Sequence, residues 1–454
     1  MKLKFKHSVF VASMLLMATQ TMAQTQPVTL KELLKIALDE NYTVQVSKLE
    51  EEVVEKQITE TRARSLPQVN GNANITDNYK RQVLVLPAGL GGAEGSGGPT
   101  KIAAGTKYSS AVGVEVTQPL LDMAAFTGLK ASKAGREYAQ INTQQTKEEV
   151  INSVSKQYYQ ILTSMEEVKL QQDMIKILEQ LIQASEGQYK NGLLRKLDLD
   201  RINVNYINTQ SKLTKAQNDV AVNLNQLKVM LNIPLNTPLV LDTLSMDQLR
   251  LPDSTPYTHF TADSRTEIKL FDSQIRLSTL QRNAIRAENY PKLSLFANYS
   301  HNSVNDDFGT LYSNGAQAIN YGMGGVGVRL SVPIFGGFSR TSRVAQSNIK
   351  IRQLQKQREA KVLELDAANQ NAHIEMNNTL TILRTQQENV KLSEQVYASN
   401  RENYNLGLSS LTDLLDSQTA YLEAKNIYTK GILNYKLSEL DLMRSNGTLL
   451  NLIN

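Results

Sequence analysis

The chain has 454 residues, a formal charge of +5 and no cysteine. That length is enough for several domains. The missing cysteine excludes disulfides, thiolate chemistry and a lipid-bearing N-terminal cysteine, and the mild, dispersed charge reads as solvated helix faces, not a nucleic-acid surface.

Residues 1–23 read as a secretory signal peptide. Lys2, Lys4 and Lys6 make a basic start, Val9–Ala18 an apolar core too short to span a bilayer, and Thr21-Met22-Ala23 a small-residue cleavage site. The mature chain is expected to begin at Gln24, outside the cytoplasm. Residues 24–65 are the N-terminal helices of a first repeat. Thr29-Leu30-Lys31-Glu32 has the form of a capping box, and helix is expected to about Arg64. Over 66–119 the period changes from 3.6 to 2. Val69, Gly71, Ala73 and Ile75 alternate with Asn70, Asn72, Asn74 and Thr76. On a return strand Val112, Val114 and Val116 alternate with Gly113, Glu115 and Thr117. Between these strands the glycine-rich run Pro87–Pro99 reads as a mobile extracellular loop, since no phosphate-loop pattern accompanies it.

No proline occurs between Pro119 and Pro234. Proline breaks helix interiors, so 120–233 is free to form a long helical hairpin. Ile161, Val168, Ile175, Ile182 and Tyr189 recur at heptad spacing, as do Leu199, Tyr206, Leu213, Val220 and Leu227 beyond a turn. Residues 234–262, with Pro234, Pro238, Pro252 and Pro256, form a linker. A second copy follows in the same order. Residues 263–290 are a helix with a capping-box pattern at Ser264-Arg265-Thr266-Glu267. Residues 291–333 are a second β-hairpin, with a shorter loop near His301–Asn320. Residues 334–446, free of proline after Pro333, are a second helical hairpin, and 447–454 are a tail. Met376, Leu383, Val390, Tyr397 and Tyr404 repeat the first heptad stripe at one constant offset. Leu414, Tyr421, Tyr428, Tyr435 and Leu442 repeat the second stripe at that same offset.

The fold class expected is mainly α with a membrane β-barrel, internally duplicated: a long coiled-coil α-barrel plus four strands per chain. Strands of about ten residues, apolar on one side, are the pattern of a transmembrane barrel. A soluble half-buried sheet shows the same alternation. Four strands fall short of the roughly eight a barrel needs, and lipid tolerates no open sheet edge, so several chains would share one barrel. Helices of roughly 70 residues reach on the order of 100 Å, the reach of a periplasm-spanning tube.

The ordered set of signal peptide, duplicated units, Leu66-Pro67-Gln68-Val69, Gln118-Pro119-Leu120 and Val332-Pro333-Ile334-Phe335-Gly336-Gly337-Phe338 resembles the TolC-type outer-membrane efflux family. The resemblance implies a homotrimer closing a 12-stranded barrel in outer-membrane lipid. It implies a passive exit duct for tripartite efflux or type I secretion, with a periplasmic adaptor and an inner-membrane transporter of RND or ABC type. The alternative is a periplasmic coiled-coil structural protein without a pore. The resemblance also marks Asp413 and Asp416 as a pair lining the periplasmic entrance, against the plain reading of two solvated aspartates. Tyr404 matches a family tyrosine that bonds an aspartate at the place of Asp198, or else it only fills the end of the seam. Asp198 and Arg201 hold the matching places in the first copy. Ser409 stands where the family's best-studied type has a latch arginine; either Arg195 or Arg201 would take over that part or the closed state would be held differently. Gly192 and Leu193, with Gly407 and Leu408, would form the turns an adaptor grips. The four histidines are scattered and no metal or nucleophile motif occurs, so no enzyme activity, metal or cofactor is expected.

Overall fold

The computed structural model describes residues 27–87, 100–242, 260–312 and 319–453. The expected signal peptide, the centre of the glycine-rich loop and most of the expected linker lie outside the described residues. Two compact units divide the chain: residues 1–50, 140–270 and 357–454 form one, and 51–139 with 271–356 the other.

The elements run α1 (Leu30–Glu40), α2 (Tyr42–Ala63), β1 (Gln68–Asp77), β2 (Gln82–Leu86), β3 (Thr100–Ala104), β4 (Tyr108–Leu121), α3 (Met123–Lys190), α4 (Lys196–Met230), α5 (Thr266–Ala287), β5 (Lys292–Asn305), β6 (Ile319–Ser331), α6 (Ser339–Asn405) and α7 (Leu411–Asn446). The proline-free stretches are indeed helical. α3 and α6 hold 68 and 67 residues, and α4 and α7 hold 35 and 36. At 1.5 Å per residue the longer pair reach about 100 Å each.

Two helix starts differ from expectation. Helix does not run unbroken from Thr29 to Arg64. The Thr29 capping box forms, but the chain turns extended at Asn41 (φ −64°, ψ 127°). The Asn41 side chain accepts from the Thr43 amide (2.8 Å) and donates to the Met230 carbonyl (2.7 Å). A short amide that bonds local backbone this way competes with the helix. The Ser264 capping box does not form. Ser264 closes a 3₁₀ turn and donates back to the Thr261 carbonyl (2.7 Å). α5 begins at Thr266, and Glu267 accepts instead from Arg265 (2.9 Å).

In the first unit the apolar stripes meet as cores. Leu33, Leu34, Ala37 and Val44 pack on Ile151, Val154, Tyr158, Ile161 and Leu162 of α3, with Leu227, Leu231 and Leu440. Met376, Leu380 and Leu383 of α6 meet Ile432, Tyr435 and Leu442 of α7. A parallel bridge joins Val28 to Leu241, the described edge of the linker.

In the second unit the sheet order is β1-β4-β5-β6, all antiparallel. These are the four expected strands, and the described residues hold two more. β2 and β3 pair as a separate ribbon (Leu84 opposite Ile102), so structure extends into the loop on both sides of its glycine-rich centre. β5 also runs on through His301 to Asn305, so the second loop starts later than expected. Register aligns the faces. Val69, Val116, Ala297 and Val326 form one row, and Leu295 and Val328 share another. On the opposite face Asn70, Glu115 and Asn298 align. A soluble half-buried sheet would cover the apolar side. Here Val69, Val112, Val114, Val326, Val328 and Leu330 are each more than half exposed. Along β1 that side runs from Val69 to Ile75, roughly 20 Å at strand rise, close to the apolar band of a membrane barrel.

Candidate functional site: the paired helix turns

Both long helices end in the same turn, and glycine is the reason. Gly192 and Gly407 have φ of +72° and +75°, a left-handed conformation that residues with a Cβ resist. The Gly192 amide donates to the Tyr189 carbonyl and the Leu193 amide to Gln188 (both 2.9 Å). The second copy repeats this with Gly407 to Tyr404 (3.0 Å) and Leu408 to Asn403 (2.8 Å). These are Schellman closures, which satisfy the last helix carbonyls. The leucine after each glycine has no place to bury: Leu193 and Leu408 are 79% and 76% exposed.

One apolar cluster fastens the two turns together. Met174, Leu178, Ile202, Tyr397, Leu411, Leu414 and Leu415 are buried in it, and Tyr206, Tyr404 and Tyr421 pack against it. The rings of Tyr397 and Tyr421 stack 5.8 Å apart. Between the copies, Arg201 donates to the Thr412 hydroxyl (3.2 Å).

The two helices that leave the turns start differently. α7 has a capping box. The Ser410 hydroxyl donates to Asp413 (2.6 Å) and accepts from the Asp413 amide (3.1 Å), while the Ser410 amide donates to the same carboxylate (3.2 Å). Those bonds from Ser410, side chain first, hold the Asp413 carboxyl below its ordinary pKa. α4 lacks a side-chain cap at Arg195. Its guanidinium instead grips Asp198 with two bonds (2.9 and 3.2 Å). Asp198 is buried and Arg195 exposed.

The expected bond from Tyr404 to Asp198 is therefore not formed. Arg195 occupies Asp198, and the Tyr404 hydroxyl is buried without a hydrogen-bond partner. Tyr404 seats its ring in the cluster, which agrees with the seam-filling reading. Asp413 and Asp416 do share one exposed face of the first turns of α7. Asp416 makes no ion pair among the described residues, so of the two it is the carboxylate open to a solute. Sequence reasoning missed the Ser410–Asp413 cap, although Ser-x-x-Asp was its signal. It named Arg195 without seeing the three-residue spacing that brings its side chain back onto Asp198.

A sheet left apolar and bare over a bilayer's depth, continued in the chain by helices of about 100 Å, defines a membrane channel rather than a soluble coiled coil. The sequence matches the outer membrane efflux protein family over residues 33–232 and 263–448. The chain belongs to that family. It is an outer-membrane channel serving efflux, extending into the periplasm. It is 24% identical over 427 residues to the probable efflux pump outer membrane protein TtgC of Pseudomonas putida, covering 90% of this chain and 80% of that protein. Outer membrane protein TolC of Escherichia coli is 20% identical over 352 residues, 75% of this chain and 70% of TolC. The fold is shared with solved structures. CusC superposes with a TM-score of 0.71 at 17% identity, covering 92% of this chain and 91% of CusC. The Campylobacter jejuni CmeC outer membrane channel gives 0.68 at 15%, covering 92% and 85%.

Proposed function

We propose that three copies of this chain close one 12-stranded barrel and form the exit duct of a tripartite efflux or type I secretion system. The observation that supports this is the sheet. β1 and β6 are both edges, and an edge left open in lipid carries unsatisfied backbone groups. Neighbouring copies supply the missing partners, β6 of one beside β1 of the next. The duct does no chemistry. A periplasmic adaptor and an inner-membrane transporter of RND or ABC type deliver the substrate, as the efflux-pump name of the Pseudomonas relative suggests.

The paired turns are the periplasmic mouth. Leu193 and Leu408, held out by Gly192 and Gly407, are the apolar grip for the adaptor's helices. Asp413 and Asp416 form stacked acidic rings, which favour cations. Asp413 is tied into its cap, so Asp416 carries most of the contact with a passing ion. The closed mouth is held by the apolar cluster, by Arg201 on Thr412, and by Arg195 on Asp198, which takes the place of the missing arginine at Ser409.

Two measurements test the reading. Protein extracted in mild detergent is expected to have the mass of a trimer and to form pores in planar bilayers. A conducting monomer defeats the shared barrel, and a protein without pore activity defeats the duct. Replacing both Asp413 and Asp416 by alanine is expected to weaken cation preference and block from the periplasmic side. Unchanged preference and block would remove both residues from the pore.

A further inference from the structure

Glu115 has no role in the mouth, yet its position is unusual. It lies on the central strand β4, between Val114 and Val116 of the bare apolar face. Its own side chain is on the opposite face, where register sets it between Asn70 of β1 and Asn298 of β5. Asn72 and Ser300 continue that face in one adjoining row, Asn74 and Asn302 in a further one. The Thr117 hydroxyl lies 3.5 Å from the Glu115 carboxylate, and Glu115 makes no ion pair among the described residues.

Depth makes this informative. The rows on either side of Glu115 carry the valines of the apolar band, so the carboxylate sits at the level of the hydrocarbon. An unpaired charge facing lipid at that depth is strongly unfavourable, and ionisable residues there usually face water. The amide-rich face is therefore the wet one.

We propose that Glu115 sets the charge preference of the membrane section, one carboxylate per chain in a belt of neutral amides, and that it favours cationic over anionic solutes. The proposal rests on the channel reading, in which the sheet curves around a lumen. Two other charges share this face within the strands. Lys292 is paired with Asp122 (3.0 Å). Arg329 stands 4.8 Å over the Phe296 ring, opposite Ser294. Ser294 is two rows from Asn298, roughly 14 Å along the strand, against a screening length of about 10 Å at 0.1 M salt. At that ionic strength Arg329 does not cancel Glu115, and the two act as separate belts of opposite sign.

The test is the reversal potential of purified wild-type, Glu115→Gln, Glu115→Asp and Arg329→Gln protein in planar bilayers under a potassium chloride gradient kept at or above about 0.1 M. A charge several ångströms from an ion in water is worth about the thermal energy, so Glu115→Gln is expected to lower the cation-to-anion permeability ratio roughly two- to threefold. Glu115→Asp keeps the wild-type ratio, and Arg329→Gln raises it. Periplasmic-side cation block, which reports Asp413 and Asp416, stays unchanged in all three. Equal ratios for wild-type and Glu115→Gln channels of normal conductance overturn the proposal. A wild-type protein that forms no pore overturns the channel reading instead. If Glu115→Gln does not assemble, Arg329→Gln decides: no rise in its cation-to-anion ratio overturns the two-belt account.

Discussion

Ser410 and Asp413 bond one another across the first turn of α7 while Tyr404, six residues before Ser410, keeps an idle hydroxyl. The two residues make opposite predictions. Ser410→Ala removes an N-cap and is expected to cost about 1 kcal/mol, read as a lower thermal midpoint. The Asp413 part of that loss depends on pH with a definite sign. Its folded pKa is lowered, so its contribution is present above the ordinary carboxylate value of about 4 and is lost as pH falls through the folded value. The gap between wild type and Ser410→Ala therefore narrows only below about pH 4. Tyr404→Phe removes a buried hydroxyl that has no partner, so it is expected to be neutral or mildly stabilising, because such a group carries an uncompensated desolvation penalty. A destabilised Tyr404→Phe protein would restore the bond to Asp198. Arg195→Ala, by contrast, strips a buried aspartate of both its bonds and is expected to loosen the mouth, seen as more frequent opening in bilayers.

The helical elements were legible because their physics is local. Proline-free length and heptad spacing fix a seam whatever lies around it, and Met376, Leu383 and Tyr435 all fall in one observed core. The turns were legible too, since glycine at the end of a long helix has few other uses. What escaped was choice among partners. Asn41 breaks a helix because the Met230 carbonyl lies within reach, and no count along the chain places residue 230 beside residue 41. Asp198 was expected to bond Tyr404, and Arg195, three residues away, took it instead. Tyr435 gives a test at this scale. Burial, with Glu439 nearby, pushes its phenol up to about 12. A raised pKa means the stabilising state is the protonated one, fully present below about 10 and lost as pH rises through the folded value. Alkaline melting of the α6–α7 pair is expected to steepen between about pH 10 and 12, and Tyr435→Phe should flatten it.

For the whole molecule, the two faces of the sheet make different demands. A lysine in place of Val114 or Val328 meets lipid and is expected to cost roughly 2–4 kcal/mol at mid-depth, abolishing insertion into vesicles. The same charge in place of Asn72 meets water and is expected to insert normally. Equal insertion of all three would mean the apolar side is not the lipid side. The open strands at the two ends of the sheet carry a genetic consequence as well. If three copies close one barrel as proposed, a subunit damaged along β6 alone still offers a sound β1, so it can join a growing ring that it then prevents from closing. In a trimer made from equal amounts of sound and damaged chains, only about one ring in eight escapes. Such alleles should be dominant: a cell with one sound and one damaged copy would keep only about an eighth of its export capacity.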